Sequence, residues 1–504
     1  MKNISTILFL FISVFSINSN AQNTESLIPS APSKAPDYFC TWSVQGYVVN
    51  YEGAEPTREA MAENYLFGTG KYENWINFFP KIREDLYFVM DDSWDIPLSE
   101  NSGNNPYLGA VELSETRFPS YTGTHTERLK RFSDKVKSYG WKGLGGWICA
   151  QQAPIYGDVN MEAYWTERLK AANEAGFDYW KVDWGKHEGD GKWRSLLTNL
   201  GKNIAPNLYI EHAMNNEFIT FSDVFRTYDV ENITAQPVTI QRICNLLGYK
   251  VEKGAKGIIN CEDEPYIAVG LGCAIGVMRH PFNGGLPNGK QDIVFPPVGR
   301  DIKNRRDEIV RGIRWHRIAE PFGVGNTTYN IDTIRLEDNW NLQEHETWVN
   351  RPVGERVTAS APARVSRGME LAEVSNLHPE SKPFILTSRY PNGAIAIVSI
   401  GRALDRKYIS SKEIVTVKIK DIAAPIGIFG QFKEVILYLP ENLKGKKVWA
   451  QDLAGDAPVD ITDRIKTDGK KLIITDTLIQ EIGLMAASDG DKSDPGLVIQ
   501  IKNN

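Results

Sequence analysis

The sequence predicts an α/β fold, a (β/α)8 TIM barrel, followed by a C-terminal antiparallel β-sandwich. Two observations predict it: strand-like apolar runs alternate with charged, helix-periodic runs over residues 37–326, and short β-rich runs separated by turn residues fill residues 327–504. A chain of 504 residues is too long for one small core, so two domains are expected. Eight βα units in about 290 residues match the length of such a barrel.

Eight segments of the first domain have the apolar, β-branched or aromatic character of buried strands. These strand candidates are Tyr38–Val48, Leu86–Met90, Lys142–Cys149, Tyr179–Val182, Leu208–Glu211, Val224–Tyr228, Gly257–Asn260 and Gly276–Met278. The helix candidates are His125–Tyr139, Met161–Ala175, Lys192–Ile204, Thr239–Lys253 and Asn304–Ala319. A doubly wound open sheet is the alternative, but no GxGxxG motif lies between the first strand and its helix.

The second domain has short β-rich runs bounded by Pro-Asn-Gly, Asp-Gly and similar turns. Its strand candidates are Phe384–Ser388, Ala394–Ile400, Ile414–Ile419, Val435–Leu439 and Leu472–Thr475. Because no titratable cluster marks these runs, we expect the sandwich to have a packing role.

The N-terminus has the pattern of a secretory signal. Lys2 precedes the apolar run Ile4–Ile17, and small residues end at Ala21, which predicts a signal peptide of residues 1–21 cut after Ala21. Residues 22–36, rich in Pro, Ser and Ala, are predicted to be an extended leader. No later segment is long and apolar enough to span a membrane, so we expect a secreted or periplasmic protein.

Charge and composition exclude some classes of partner. A formal net charge of -6 offers no basic field for nucleic acid, so no nucleic-acid partner is expected. The five cysteines are odd in number and mostly lie in apolar runs, which favours buried thiols. There is no CxxC, HExxH or EF-hand motif, so no metal and no cofactor are expected. The oligomeric state is not predicted.

The strand ends of a TIM barrel carry its chemistry, and here they are polar. The second strand ends in Asp91, Asp92 and Trp94, where vicinal carboxylates could accept two sugar hydroxyls while the ring lies on the indole. A turn or helix cap is the alternative for the two acids.

The fourth strand ends in Lys181 and Asp183, which alternation places on the same inner side. An inward lysine near Asp183 would favour the ionised carboxylate that a nucleophile requires, although a structural ion pair is the alternative. The sixth strand ends in Arg226 and Asp229. Glycoside cleavage needs two carboxyl groups flanking one bond, so Asp183 and Asp229 are the predicted pair, with a loop cap as the alternative for Asp229.

Four further residues are candidate substrate contacts at other strands. Glu211 ends the fifth strand and Asp263 follows the seventh, and each could equally anchor a loop. Trp42 and Trp147, at the first and third strands, could supply stacking walls, although a core position is the more frequent one for a tryptophan.

Over residues 38–325 the chain resembles glycoside hydrolase clan D, the α-galactosidase superfamily of families 27 and 36. The segment LYFVMDDSW at 86–94 is similar to the sugar-binding Asp-Asp-x-Trp strand, FDYWKVD at 177–183 to the nucleophile strand, and FRTYDV at 225–230 to the segment that ends in the acid/base. The resemblance implies that Asp183 is the nucleophile and Asp229 the acid/base. It also implies that Lys181 donates to a sugar hydroxyl and that Glu211 contacts substrate.

The sequence thus predicts a secreted, retaining exo-glycosidase that removes terminal α-galactoside-like residues from a carbohydrate substrate. An alternative keeps the fold but changes the sugar to an α-N-acetylgalactosaminide, a β-L-arabinopyranoside or a modified galactan unit. A barrel that binds glycan without cleaving it would also fit the sequence, as would a metal-dependent hydrolase that uses His187, His212 and Asp263.

Overall fold

The structure, a computed structural model, describes residues 25–45, 59–98, 100, 105–227, 235–282, 305–325, 327–342, 352–375 and 378–503. The predicted signal peptide, residues 1–21, lies outside the described residues. Among the residues described, no helix has the length and apolar character needed to cross a membrane.

Eight parallel strands close into a barrel in chain order, with the first pairing with the eighth. They are β1 (Tyr38–Cys40), β2 (Tyr87–Met90), β3 (Gly143–Ile148), β4 (Phe177–Val182), β5 (Tyr209–His212), β6 (Val224–Arg226), β7 (Ile258–Glu262) and β8 (Ala274–Val277). This confirms the predicted barrel. The first strand is shorter than predicted, because the chain turns into a helical turn at Trp42–Val44 directly after Cys40.

Side chains alternate between the inside and the outside of the barrel, as strand geometry requires. Tyr38 lies inside, where its ring contacts that of Tyr179 at a centroid distance of 5.2 Å. Its neighbour Phe39 faces outward and packs on aromatic rings outside the barrel. The same alternation sends Lys181 inward, whereas the adjacent Trp180 packs outside on a helix.

Helices cover the outside of the barrel, and local sequence signals set their ends. The helix His125–Ser138 begins with a capping box, in which Thr124 and Glu127 satisfy each other's backbone N–H groups. The helix Met161–Ala175 begins at the cap residue Asn160 and ends at Gly176, whose left-handed conformation favours glycine. The α-helices of the described residues are Trp42–Val44, Glu63–Phe67, His125–Ser138, Met161–Ala175, Gly191–Ile204, Ala235–Leu246, Pro265–Gly270, Arg306–Ile318 and Asp476–Gly483.

Thirteen of the remaining strands in the described ranges form a C-terminal pair of packed sheets, which confirms the predicted sandwich, and the other four form two separate two-stranded sheets. The remaining strands are β9 (Tyr329–Ile331), β10 (Arg335–Asn341), β11 (Arg356–Pro362), β12 (Arg364–Arg367), β13 (Glu373–Ser375), β14 (Phe384–Arg389), β15 (Ile395–Ile400), β16 (Arg402–Leu404), β17 (Lys407–Ile409), β18 (Glu413–Lys418), β19 (Ile426–Phe429), β20 (Phe432–Tyr438), β21 (Lys446–Asp452), β22 (Val459–Asp460), β23 (Lys466–Asp468), β24 (Lys471–Thr475) and β25 (Gly496–Asn503). One sheet has eight strands, the other has five, and buried aliphatic side chains fill the space between them. The sheets are mixed, because β12–β14, β15–β19 and β18–β20 pair in parallel.

The sandwich packs directly against the barrel. One continuous apolar cluster includes Ile275 of β8, Trp315 of the last barrel helix and Phe429 of β19. Within this contact, Arg311 makes a buried two-pronged ion pair with Asp452. The sandwich therefore supports the barrel from the outside through both apolar and charged contacts.

Candidate active site

Buried charged side chains gather where the barrel strands end. Asp91 follows β2, Lys181 and Asp183 lie at the end of β4, Arg226 ends β6 and Glu262 ends β7. Because the carboxyl ends of all eight parallel strands open on the same face, these side chains meet at one mouth. They form two groups, one around Lys181 and the other around Arg226.

Both oxygens of the Asp183 carboxylate are held in place. The indole Nε1 of Trp147 donates to Oδ2 at 2.9 Å, and Nη2 of Arg226 donates to Oδ1 at 3.0 Å. The Asp183 side chain is 9% exposed, against 4% for Asp91, 3% for Glu262 and 0% for Glu211. Among these four carboxylates, Asp183 is therefore the one most accessible from the mouth.

The cation expected beside Asp183 pairs elsewhere. Lys181 does point into the barrel, but its Nζ lies 2.7 Å from Oδ2 of Asp91, and the thiol of Cys40 donates to the same oxygen at 2.8 Å. Burial alone would raise the pKa of Asp91, but Lys181 and the Cys40 hydrogen bond lower it below its ordinary value. The expectation that Lys181 serves Asp183 is corrected: Arg226 pairs with the Asp183 carboxylate, and Arg194 donates to the Asp183 backbone carbonyl.

Arg226 is shared by three carboxylates. Besides Asp183, its guanidinium lies 3.7 Å from Glu211 and 3.7 Å from Glu262. Glu211 also accepts a hydrogen bond of 2.7 Å from the hydroxyl of Tyr179. Burial raises the pKa of Glu211 to about 7, although Arg226 and Tyr179 act in the opposite direction. Glu211 is thus a buried carboxyl group beneath the mouth, and its pKa is close to neutral pH.

Asp92 and Trp94, the other two residues predicted to bind sugar after β2, lie in different surroundings. Asp92 is buried, accepts from the hydroxyl of Ser93 at 3.0 Å, and accepts from Gln45 through its backbone carbonyl. Ser93 has a φ of 83°, an uncommon value for a residue with a side chain, and Trp94 follows it. Trp94 is fully buried against Phe177 and donates to a backbone carbonyl of β3. This position is that of a core residue and differs from the predicted sugar-stacking role.

Asp263 joins two strand ends. Its Oδ1 accepts from the backbone N–H groups of Met278 and Arg279 at 2.8 and 3.1 Å, so it anchors the end of β8 to the end of β7. Its own φ of 53° is again a strained value. Burial raises the pKa of Asp263 to about 6. These contacts are those of the loop anchor that the sequence left as the alternative to a substrate contact.

The two tryptophans predicted to stack on sugar, Trp42 and Trp147, differ in their exposure. Trp42 is partly exposed at the end of β1 and packs on the inner apolar cluster that contains Tyr38. Trp147 is fully buried, so it acts on Asp183 through its N–H group and has no free face for stacking. A partly exposed ring next to Asp183 belongs to Trp184, which contacts Trp147 at 5.3 Å.

Two features of the site are not predicted from the sequence. The sequence indicates only a buried thiol at Cys40, and it does not single out Glu262 among the acids at positions 262 to 264. Strand alternation could have predicted both as inward-facing side chains. Cys40 lies on the same inner side as Tyr38, and Glu262 lies on the same inner side as Asn260. Asp229, the predicted acid/base, lies outside the described residues.

The three residues of the metal-dependent alternative do not converge. His187 lies 3.2 Å from Asp190, whereas His212 contacts Arg194 and Thr198 behind the sheet. The Asp263 carboxylate accepts from the backbone N–H groups that follow β8. Within the described ranges, no group of three or more His, Cys, Asp or Glu side chains is arranged to hold a metal ion.

Comparison with known proteins returned structural matches only. No protein-family model matches the chain, and no curated protein matches it. Matching solved structures include a family 27 β-L-arabinopyranosidase from Geobacillus stearothermophilus, at 10% identity over 93% of this chain and 96% of that chain, with a TM-score of 0.39. An α-galactosidase from Saccharomyces cerevisiae matches at 9% identity, 94% and 97% coverage, and a TM-score of 0.36. An α-amylase from Geobacillus thermoleovorans matches at 7% identity, 94% and 100% coverage, and a TM-score of 0.42. Similarity at this level does not assign an activity.

Proposed function

We propose that this chain is a retaining glycosidase of the α-galactosidase type, which removes a terminal α-galactoside-like sugar from a larger carbohydrate. The observation that carries the proposal is the carboxylate of Asp183, fixed through both oxygens at the mouth of the barrel. A nucleophile must be ionised, oriented and reachable. The indole N–H group and the guanidinium orient the carboxylate, and the mouth gives access.

The proposed reaction has two steps. In the first, an Asp183 oxygen forms a bond to the anomeric carbon while the bond to the leaving oxygen breaks, and Asp229 gives its proton to that oxygen. In the second, water attacks the anomeric carbon, Asp229 accepts the water proton, and the bond to Asp183 breaks. The role of Asp229 is inferred from the sequence. We also propose, from the N-terminal pattern, that the protein acts outside the cytoplasm after cleavage following Ala21.

Asp91 and Lys181 are proposed to bind hydroxyl groups of the sugar at the mouth. Their pairing at 2.7 Å keeps both charged within the barrel, so each can offer a charge-assisted hydrogen bond. Asp92 adds a second carboxylate beside them. Such contacts recognise a neutral polyol, which fits a sugar.

A mechanism-based label tests the nucleophile. The wild-type protein is incubated with a panel of fluorinated glycosyl fluorides of the galactose, N-acetylgalactosamine and arabinopyranose series, in which fluoride leaves and the sugar stays bound to the nucleophile. We expect a sugar ester on the peptide that contains Asp183. Turnover of the panel with a label on another carboxylate would overturn the assignment.

A matched pair of variants complements the label. Asp183→Asn should lower kcat by roughly 10⁴-fold on the best substrate. Asp178→Asn changes an aspartate at the opposite end of the same strand, where it pairs with Lys137 at 2.9 Å, and should retain activity. Near-normal turnover by a folded Asp183→Asn variant would reject the mechanism.

A further inference from the structure

Exposed apolar side chains distinguish one face of the barrel. Between residues 25 and 325, the large hydrophobic side chains that are well exposed, among the residues described, all lie in loops that follow β2, β3 or β5. They are Leu98, Ile155, Tyr156, Val159 and Met214. Loops that follow strands lie on the face that carries Asp183, so these exposed apolar side chains are on the same face of the barrel as the mouth.

Tyr156 is the aromatic member of this surface, and it is supported from behind. The guanidinium carbon of Arg168 lies 4.7 Å from the ring centre of Tyr156 and 4.8 Å from that of Tyr164. Arg168 is itself buried and pairs with Glu112 at 3.0 Å. The Tyr156 ring is therefore fixed by Arg168 and Tyr164 while 38% of the residue stays exposed. A ring fixed in advance loses little conformational entropy when it binds a ligand.

The segment that carries Tyr156 is tied to the nucleophile strand. The N–H group of Ala150 donates to the carbonyl of Trp184 at 2.8 Å, and the N–H group of His187 donates to the carbonyl of Ala150 at 2.9 Å. The side-chain oxygen of Gln151 accepts a hydrogen bond of 3.3 Å from the backbone N–H group of Lys186. The first residues of the loop after β3 are thus hydrogen-bonded to the segment that follows Asp183.

We propose that Tyr156 is the platform of a leaving-group subsite, on which the saccharide beyond the cleaved bond stacks. This inference rests on the proposed glycosidase function. It adds that the substrate is a neutral glycan with at least one further sugar on the leaving-group side of the cleaved bond. The C–H face of a sugar ring packs on an aromatic face, and the polar residues Gln152, Asp158 and Asn160 lie within four positions of Tyr156 along the chain. A single rigid ring suits one sugar better than a second protein copy, which needs a larger continuous contact.

Two substrates with the same terminal sugar test the proposal. One is the glycosyl fluoride, whose leaving group is a single atom, and the other is an oligosaccharide with two or more sugars beyond the cleaved bond. In Tyr156→Ala, kcat/KM for the oligosaccharide should fall by roughly 5- to 10-fold relative to kcat/KM for the fluoride. Tyr156→Phe keeps the ring and should keep the wild-type ratio.

Tyr438→Ala is the control, because this tyrosine is equally exposed but lies on the sandwich. It should not change the ratio. An unchanged ratio in Tyr156→Ala would overturn the subsite, as would a change of sedimentation behaviour that reveals Tyr156 as a subunit contact. A wild-type protein that cleaves no fluoride of the panel would instead overturn the proposed function, so the two failures are distinguishable.

Discussion

The indole N–H group of Trp147, on β3, donates a hydrogen bond of 2.9 Å to Oδ2 of Asp183, at the end of the neighbouring strand β4. Trp147 lies opposite Lys181 in the pairing of the two strands, so the indole reaches one inner position further along the chain, to Asp183. Trp147 is buried in an apolar cluster with Ile96, Leu108 and Cys149, and Trp184 packs against this cluster. The orientation of Asp183 therefore depends on a rigid donor from a second strand.

Trp147→Phe should lower kcat by about 10-fold and change KM little. The variant keeps an aromatic ring and removes the donor, so Asp183 loses one of its two fixed hydrogen bonds. Steady-state kinetics on a glycosyl fluoride measures both constants.

The matched control for this prediction is Trp180→Phe, a buried change on the outer side of β4, where Trp180 packs on Trp165 at 6.0 Å. This control should lower the free energy of unfolding but leave kcat close to the wild-type value. Equal losses of kcat in the two variants would mean that Trp147 acts only through packing.

The barrel is predictable because its determinants are local along the chain. Period-2 alternation places Lys181 and Asp183 on the same side of β4, and cap residues such as Asn160 mark the start of a helix. The pairing between the charges at the mouth is not predictable in this way. It depends on which strand ends lie opposite each other across a closed barrel, and that stagger brings Asp91 to Lys181 and Arg226 to Asp183.

Trp94 shows a second limit of local reasoning. Two acids followed by tryptophan predict a stacking wall only if the chain continues straight from β2. The positive φ of Ser93 turns the chain instead, and Trp94 enters the core behind the sheet beside Phe177. A single residue in an uncommon conformation carries no sequence signal when it is a serine and not a glycine.

Asp263→Ala should lower the free energy of unfolding by about 3 kcal/mol, since the backbone N–H groups of Met278 and Arg279 lose a buried acceptor. Urea denaturation measures the loss. Asp421→Ala removes a comparable bond from an exposed turn, where Asp421 accepts from Ala423, and should cost less than about 0.5 kcal/mol. A stable Asp263→Ala variant with a greatly raised KM would instead support the substrate contact predicted from the sequence.

Glu211 should make the protein less stable as the pH rises towards neutrality. Its folded-state pKa of about 7 exceeds the ordinary value of 4.5, so the folded state binds more protons between these two values. The stabilisation is present below pH 4.5 and is lost as the pH rises through 7. Asp95, with a pKa of about 7, contributes in the same direction.

Glu211→Gln removes this contribution while keeping an acceptor for the Tyr179 hydroxyl. Between about pH 5 and pH 7.5, the drop in the free energy of unfolding should be smaller than in the wild type by about 2 kcal/mol. Glu370→Gln, on the exposed surface, should retain the wild-type drop. If Glu211→Gln shows the same drop as the wild type, Glu211 does not titrate near neutrality in the folded state.

The thiols should react slowly in the native protein and completely after unfolding. All five cysteines are free, and only Cys244 is partly exposed. Burial raises the pKa of Cys244 to about 12 and also raises the pKa of Cys40, so little of the reactive thiolate exists near neutral pH. A thiol-specific chromogenic reagent should therefore detect Cys244 first, and Cys244→Ser should remove that earliest phase. In denaturant without reductant, five thiols per chain should react; a count lower by two would mean that two cysteines pair in the isolated protein and that their burial as free thiols is wrong.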